Sequence, residues 1–291
     1  MFRIVALVVT VFLVLFTYLY SNASYEQQRS LPAPVRAAAN DTLYAVASLV
    51  KMTNDTFGTK LRYGLRRAGE GFSRTKPQAS KHDTETYIAV GKDFTGADFS
   101  SRMLSHATFT RSSLDQADFT KTYLDKAAMD SVAATGAIFD RTIMTAASAR
   151  GADFSAATFD NADLTGLMAQ GAMLRGTTIE LTLFSAGQFT GAIFSNAKIT
   201  SSYGDRSVFY GADFSNARIS HTDFAKANFE KAVFHDAILS NVDLAHANLE
   251  GADLTRADLS TTTGLLQKQI DLACGSSKTK LPQGLSIKNC A

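Results

Sequence analysis

Ser207-Val208-Phe209-Tyr210-Gly211-Ala212-Asp213-Phe214-Ser215-Asn216-Ala217-Arg218-Ile219 brings a bulky apolar residue to every fifth position and a small residue two places before each one. Phe209, Phe214 and Ile219 hold the bulky lane; Ser207, Ala212 and Ala217 hold the small one. Outward from this stretch the phase runs unbroken from Phe94 to Leu259. Of the 34 positions in the bulky lane, 30 are Phe, Leu, Ile or Met, the exceptions being Ala134, Ala149, Ala169 and Gly204. Of the 34 in the small lane, 20 are Ala and eleven are Ser, Thr, Val or Gly, with breaks at Lys92, Arg102 and Leu167. Fifteen of the twenty phenylalanines lie in the bulky lane, so the aromatic content is core material.

A period of five fits neither the 3.6 of a helix nor the 2 of a simple strand, so each pentapeptide is its own structural unit. The bulky and small residues point inward from a short extended edge, and the other three face out or turn the corner. Four edges close a square coil, and coils stacked at strand spacing place each bulky residue over the one twenty positions earlier. Ala97-Asp98-Phe99-Ser100, Ala152-Asp153-Phe154-Ser155, Ala212-Asp213-Phe214-Ser215 and Ala252-Asp253-Leu254-Thr255 resemble the pentapeptide-repeat family. The resemblance implies an all-β solenoid, a right-handed quadrilateral β-helix. Over residues 92–261 it amounts to about 8.5 coils, or roughly 40 Å at about 4.8 Å per coil. Phe99, Phe119, Phe139 and Phe159 are then expected to form one stacked core ladder, with Phe189, Phe209 and Phe229 forming another. Ala149 and Ala169, on adjacent coils, are expected to thin the core or mark a bend.

Charge divides the chain at the same places. Residues 1–91 carry eleven Lys/Arg against six Asp/Glu, residues 92–261 fourteen against twenty, and residues 262–291 four against one. All four prolines lie outside the middle segment, as a continuous backbone ladder requires. Residues 1–23 read as a membrane anchor or a cleaved signal. Ile4 to Tyr20 is free of charge, Tyr18 and Tyr20 suit an interfacial belt, and Ser21-Asn22-Ala23 suits a signal peptidase. Residues 24–40 form a polar spacer. Residues 41–91 hold a linker and an amphipathic helix at 41–67, with Leu43, Val46, Val50, Phe57 and Leu61 on one face. In residues 262–291, Thr263 to Ala273 reads as a short amphipathic helix capping the last coil, stopped by Gly275. The run Lys278 to Leu285 resembles a tail that follows the repeats in many bacterial members of the family.

Export predicts that Cys274 and Cys290 pair, worth about 3 kcal/mol for a loop of about 15 residues. In the cytosol they are instead two free thiols. A zinc site is not expected, because the tail holds no His and two thiolates do not close a tetrahedral shell. Catalytic, cofactor and metal residues are not assigned. His82, His106, His221, His235 and His246 fall on scattered edges, and the ten Asp residues just before bulky positions are read as local turn and solubility residues.

The expected function is therefore non-enzymatic: a rod tethered through residues 4–20 to a bacterial inner membrane, with its repeats in the periplasm, or secreted there if the segment is cleaved. It binds a protein partner or itself, with no nucleic acid, cofactor or small-molecule substrate. Met103, Tyr123, Ile143, Leu183 and Tyr203, on one outward column, form the candidate interaction stripe, with the 41–67 helix as an alternative intramolecular occupant. The family resemblance implies a rival reading as a DNA-mimic inhibitor of a type II topoisomerase. The net charge of −6 over residues 92–261 is thin for that role.

Overall fold

The computed structural model describes residues 87–290. They belong to one compact unit, Asp83–Ala291, separate from Met1–His82. The segment at 4–20, the spacer and the helix at 41–67 lie outside the described residues. Among those described, no helix is long and apolar enough to cross a membrane.

The fold is a parallel β-solenoid. Through the repeats every bridge joins residues twenty apart, from Ile88 with Thr108 to Asp243 with Thr263. One side is extended enough to form a five-stranded parallel sheet in sequence order: β1 (Thr158–Asp160), β2 (Thr178–Glu180), β3 (Lys198–Thr200), β4 (Arg218–Ser220) and β5 (Ile238–Ser240). Thr158, Thr178, Ile179, Ile199, Thr200, Ile219 and Ile238 supply β-branched side chains here, which favours extended backbone. Phe159, Ile179, Ile199, Ile219 and Leu239 stand in register and are buried.

The unit centred on Phe214 accounts for its backbone donors completely. Ala212 N–H donates to Phe209 O at 3.0 Å within the turn, Asp213 N–H to Ala192 O of the preceding coil at 3.0 Å, and Phe214 N–H to Val233 O of the next at 2.7 Å. Asn216 N–H donates to His235 O at 2.8 Å. The remaining donor, Ser215 N–H, is left over by the ladder and bonds Asp213 Oδ1 at 2.8 Å. The Asp before the bulky residue thus satisfies the one amide that stacking cannot reach. Asp98, Asp118, Asp153, Asp163 and Asp253 repeat this contact with Ser100, Thr120, Ser155, Thr165 and Thr255.

The corner residue two places after each bulky one carries positive φ in every unit from Gly91 to Arg256. Ten of these residues are Gly and twenty-four are not, including Arg141 at 54° and Leu181 at 52°. An L-residue in that region costs roughly 1–2 kcal/mol, offset here by the coil-to-coil hydrogen bond its amide makes.

The core is stacked rings. Phe99, Phe119, Phe139 and Phe159 follow one another at centroid distances of 4.9, 5.1 and 4.8 Å with planes within 8°. Phe189, Phe209 and Phe229 stack at 5.2 and 5.0 Å. A third ladder, Phe194, Phe214 and Phe234, lies beside them at 4.8 and 5.0 Å. Rings of adjacent ladders meet edge to face, as Phe209 and Phe214 do at 5.4 Å and 70°, so each ring has favourable quadrupole contacts both along and across the coil.

Two exceptions in the bulky lane are offset within their own unit, whereas Ala149, with Ala147 two places before it, is not. Leu167, fully buried in the small lane, stands in the same unit as Ala169, and Val132 stands with Ala134. Gly204 is the opposite case. A Cβ there would collide with the Phe184 ring and come within 2.7 Å of Phe224 Cε1, and the two rings close over the glycine at 5.8 Å.

The C-terminal helix is shorter than Thr263 to Ala273: α1 spans Gln267–Ile270. Gly264, at φ +75°, lies against the Ala245 backbone, and Leu266 is extended, so the helix starts late. The chain rejoins the ladder by Cys274, which bridges Asp253. Gly204→Ala is expected to lower stability by about 1–3 kcal/mol through overpacking, read as a drop in the urea midpoint at unchanged m. Gly171→Ala, with open space around its Cβ but φ +68°, is expected to cost only about 1 kcal/mol.

Candidate functional site

The repeats place chemically similar side chains along every column, so distinctive chemistry arises where the period fails. The C-terminal end is such a place. Gln269, 6% exposed, donates through Nε2 to Leu244 O at 3.0 Å and Ala247 O at 2.9 Å, while its Oε1 accepts from Leu266 N–H at 3.0 Å. It supplies the last coil with the donor that a following coil would otherwise provide. Leu254 N–H and Leu259 N–H find Cys274 O and Lys280 O, each at 2.8 Å.

Cys274 and Cys290 are joined by a disulfide across 16 residues of sequence. This ties the tail back on itself, where Gly275 N–H donates to Lys288 O and Cys290 N–H to Gly275 O, both at 2.9 Å. Beside the disulfide stand two residues from the repeats. Asp253 Oδ2 lies 2.7 Å from His235 Nε2, and Asp253 Oδ1 is 3.2 Å from Cys290 Sγ. A disulfide sulfur has no proton, so the second approach is a contact and not a hydrogen bond. Burial pushes the Asp253 carboxyl up, but hydrogen bonds from Thr255 and His235 outweigh it and hold the group below its ordinary value. The tail has no His of its own, but the last turns of the solenoid bring Asp253 to Cys290 and pair that carboxylate with His235, a contact that the lane assignment did not foresee.

The other histidines do not join them. His221 Nε2 faces Asn241 Nδ2 at 3.3 Å, and His106 and His246 occupy positive-φ corners. His82 lies outside the described residues. Nearby, Arg256 makes a bidentate pair with Asp236, its Nε at 2.7 Å.

The candidate stripe occupies successive rungs, Met103 on Tyr123, Tyr123 on Ile143 and Leu183 on Tyr203, with Asp163 between Ile143 and Leu183. It is not the exposed apolar surface that its outward position suggests. Leu183 and Tyr203 are buried, at 2% and 6% exposure, and Met103, Tyr123 and Ile143 are half-buried. The exposed large apolar side chains among the described residues lie elsewhere. They are Ile88 and Val90 in the first rung, Ile138 and Tyr210 on the sides, and Leu266 and Leu272 beside α1.

The acidic residues have structural consequences for pH. Asp258 accepts from Ser260 Oγ at 2.7 Å and Lys280 Nζ at 2.9 Å, and these bonds draw its carboxyl down to about 2. A depressed folded pKa gives stability that is present above the unfolded value of 3.8 and lost as pH falls toward 2. Asp258→Asn is therefore expected to flatten the acid limb of a stability–pH curve by lowering stability above about pH 4, while leaving the stability near pH 2 almost unchanged. Gln269→Leu, which leaves Ala247 O without its donor and Leu266 N–H without its acceptor, is expected to cost about 1–3 kcal/mol at all pH values. Urea midpoints across pH check both.

Residues 93–130, 129–166, 142–180, 207–244 and 237–262 match the family described as pentapeptide repeats, in eight copies. The structure is similar to that of HetL, a pentapeptide repeat protein involved in heterocyst differentiation regulation from the cyanobacterium Nostoc sp. strain PCC 7120. The identity is 22% and the TM-score 0.62, over 69% of this chain and 90% of HetL. QnrB1, a plasmid-mediated fluoroquinolone resistance protein, matches at 20% identity and TM-score 0.42 over 66% and 90% of the two chains. A pentapeptide repeat protein from the Arabidopsis thaliana thylakoid lumen matches at 33% identity and TM-score 0.20 over 37% and 68%. No curated protein matches the chain.

Proposed function

Because the chain belongs to the pentapeptide-repeat family, we propose that it is a non-enzymatic rod of about 8.5 coils, tethered to a bacterial inner membrane, which holds a protein partner or a second copy in the periplasm. The observation that carries this reading is the uncharged run from Ile4 to Tyr20 ahead of the repeats. The bonded Cys274 and Cys290, the only cysteines in the sequence, support it, since disulfides persist in oxidising compartments. The half-buried Met103, Tyr123 and Ile143 and the exposed Ile138 give the sides of the rod an apolar component suited to protein contact.

A phosphatase fused to the C-terminus is expected to be active in a bacterial host, with both thiols blocked to alkylation until reductant is added. An inactive fusion with freely alkylated thiols overturns the tether and the compartment together. It favours the second reading, a DNA-mimic inhibitor of a type II topoisomerase, whose sequence support is the twenty acidic residues in 92–261. Tyr123→Glu with Ile143→Glu is expected to leave the melting transition within a few degrees and to change the oligomeric state or the set of crosslinked partners. If both stay unchanged, the partner does not use this column.

A further inference from the structure

The end of the solenoid gathers more metal-ligating chemistry than a structural disulfide needs. The ligand atoms of Asp253, Cys274 and Cys290 lie within 4.8 Å of one another, and all three residues are half-buried. Asp253 is shared among three neighbours: Oδ1 accepts from Thr255 N–H at 2.9 Å and faces Cys290 Sγ at 3.2 Å, and Oδ2 is held by His235 Nε2 at 2.7 Å. In the oxidised chain the Cys290 contact sets a carboxylate against a sulfur with nothing to donate. With the disulfide opened, the same placement puts two thiols and a carboxylate around one point, where ionisation of all three concentrates negative charge that a cation would neutralise. Two sulfurs and one carboxylate oxygen, the latter oriented from behind by an imidazole, suit a borderline-soft divalent ion of tetrahedral habit.

We propose that reduction of the Cys274–Cys290 disulfide converts this end of the protein into a site for a single Zn2+ ion. Cys274 Sγ, Cys290 Sγ and Asp253 Oδ1 are its ligands, water takes the fourth position, and His235 is the positioning residue that fixes the carboxylate through Oδ2. The reductant is a dithiol. Its two sulfurs join as a disulfide, two electrons and two protons pass to Cys274 and Cys290, and Zn2+ then displaces both thiol protons to solvent. The disulfide and the ion are thus alternative clamps on the same tail, which pairs with the last repeats through Cys274 N–H to Ala252 O at 3.0 Å and Lys280 N–H to Ala257 O at 2.9 Å.

The test is a titration of the full chain with Co2+ after reduction by a dithiol and removal of the reductant under nitrogen. A thiolate-to-cobalt charge-transfer band with tetrahedral d–d bands is expected to saturate at one ion per chain and to disappear on adding Zn2+; the oxidised chain is expected to show neither. Asp253→Asn keeps the hydrogen bond to Thr255 N–H but loses the charge, and is expected to weaken binding about tenfold or more. His235→Ala is expected to weaken it about tenfold, and His235→Gln, which can still donate to Oδ2, to restore it. Absence of the bands from the reduced chain overturns the site. So does an affinity indifferent to Asp253→Asn, because the thiols are then capturing metal on their own. Circular dichroism of the reduced chain follows the fold, and a tail that comes apart on reduction and is not re-formed by Zn2+ overturns the proposal equally.

Discussion

The coil-to-coil amide ladder is the constraint on which the rest of the molecule depends. With twenty residues per step, the amides of Asp213, Phe214 and Asn216 each meet a carbonyl of a neighbouring coil, and Ala212 closes its own turn. Only Ser215 N–H remains, and Asp213 accepts it. The same constraint forces a left-handed corner in every unit, whatever the residue. Leu181 and Arg141 sit there at φ values that non-glycine residues seldom adopt. The strain persists because releasing one corner would give up the inter-coil bonds on both sides of it.

That ladder also dictates the core. Rings held by backbones about 4.8 Å apart must stack face on face along a column, and Phe119 and Phe139 do so with planes at 0°. Where stacking cannot proceed the sequence changes locally. Gly204 vacates a rung so that Phe184 and Phe224 meet across it. Leu167 in the small lane offsets Ala169 in the bulky one, which keeps the volume of a unit nearly constant while changing which edge fills it.

The architecture was legible because its cause is local and repeated: every pentapeptide carries the same inward pair, so Phe99, Phe119, Phe139 and Phe159 could be placed from spacing alone. The positive-φ corners were less legible, since only ten of them carry the glycine that signals such a conformation. The buried state of Leu183 and Tyr203 was not legible either, because lane assignment gives the direction of a side chain and not what surrounds it. The neighbourhood of the disulfide was the least legible. Cys274 pairs with Asp253 at an offset of 21 and Lys280 with Asp258 at 22, so the tail leaves the five-residue phase and its contacts cannot be counted forward.

This difference between periodic and aperiodic parts bears on where function resides. Within the repeats a side chain is backed by a similar unit above and below, which favours long uniform surfaces over converging groups. Convergence needs a break in the repeating register, and among the described residues the tail provides one. It pairs at offsets of 21 and 22, bridges Gly275 with Asn289, lays Cys290 against Asp253 and brings Lys280 onto Asp258. The solenoid therefore supplies rigid, pre-placed partners such as His235, Asp253 and Asp258, while the tail supplies the groups that react with them. The two are joined by the ladder itself, since Cys274 and Lys280 exchange amide hydrogen bonds with the last repeats through Ala252 O, Leu254 N–H, Ala257 O and Leu259 N–H, so what holds the tail also closes the end of the solenoid.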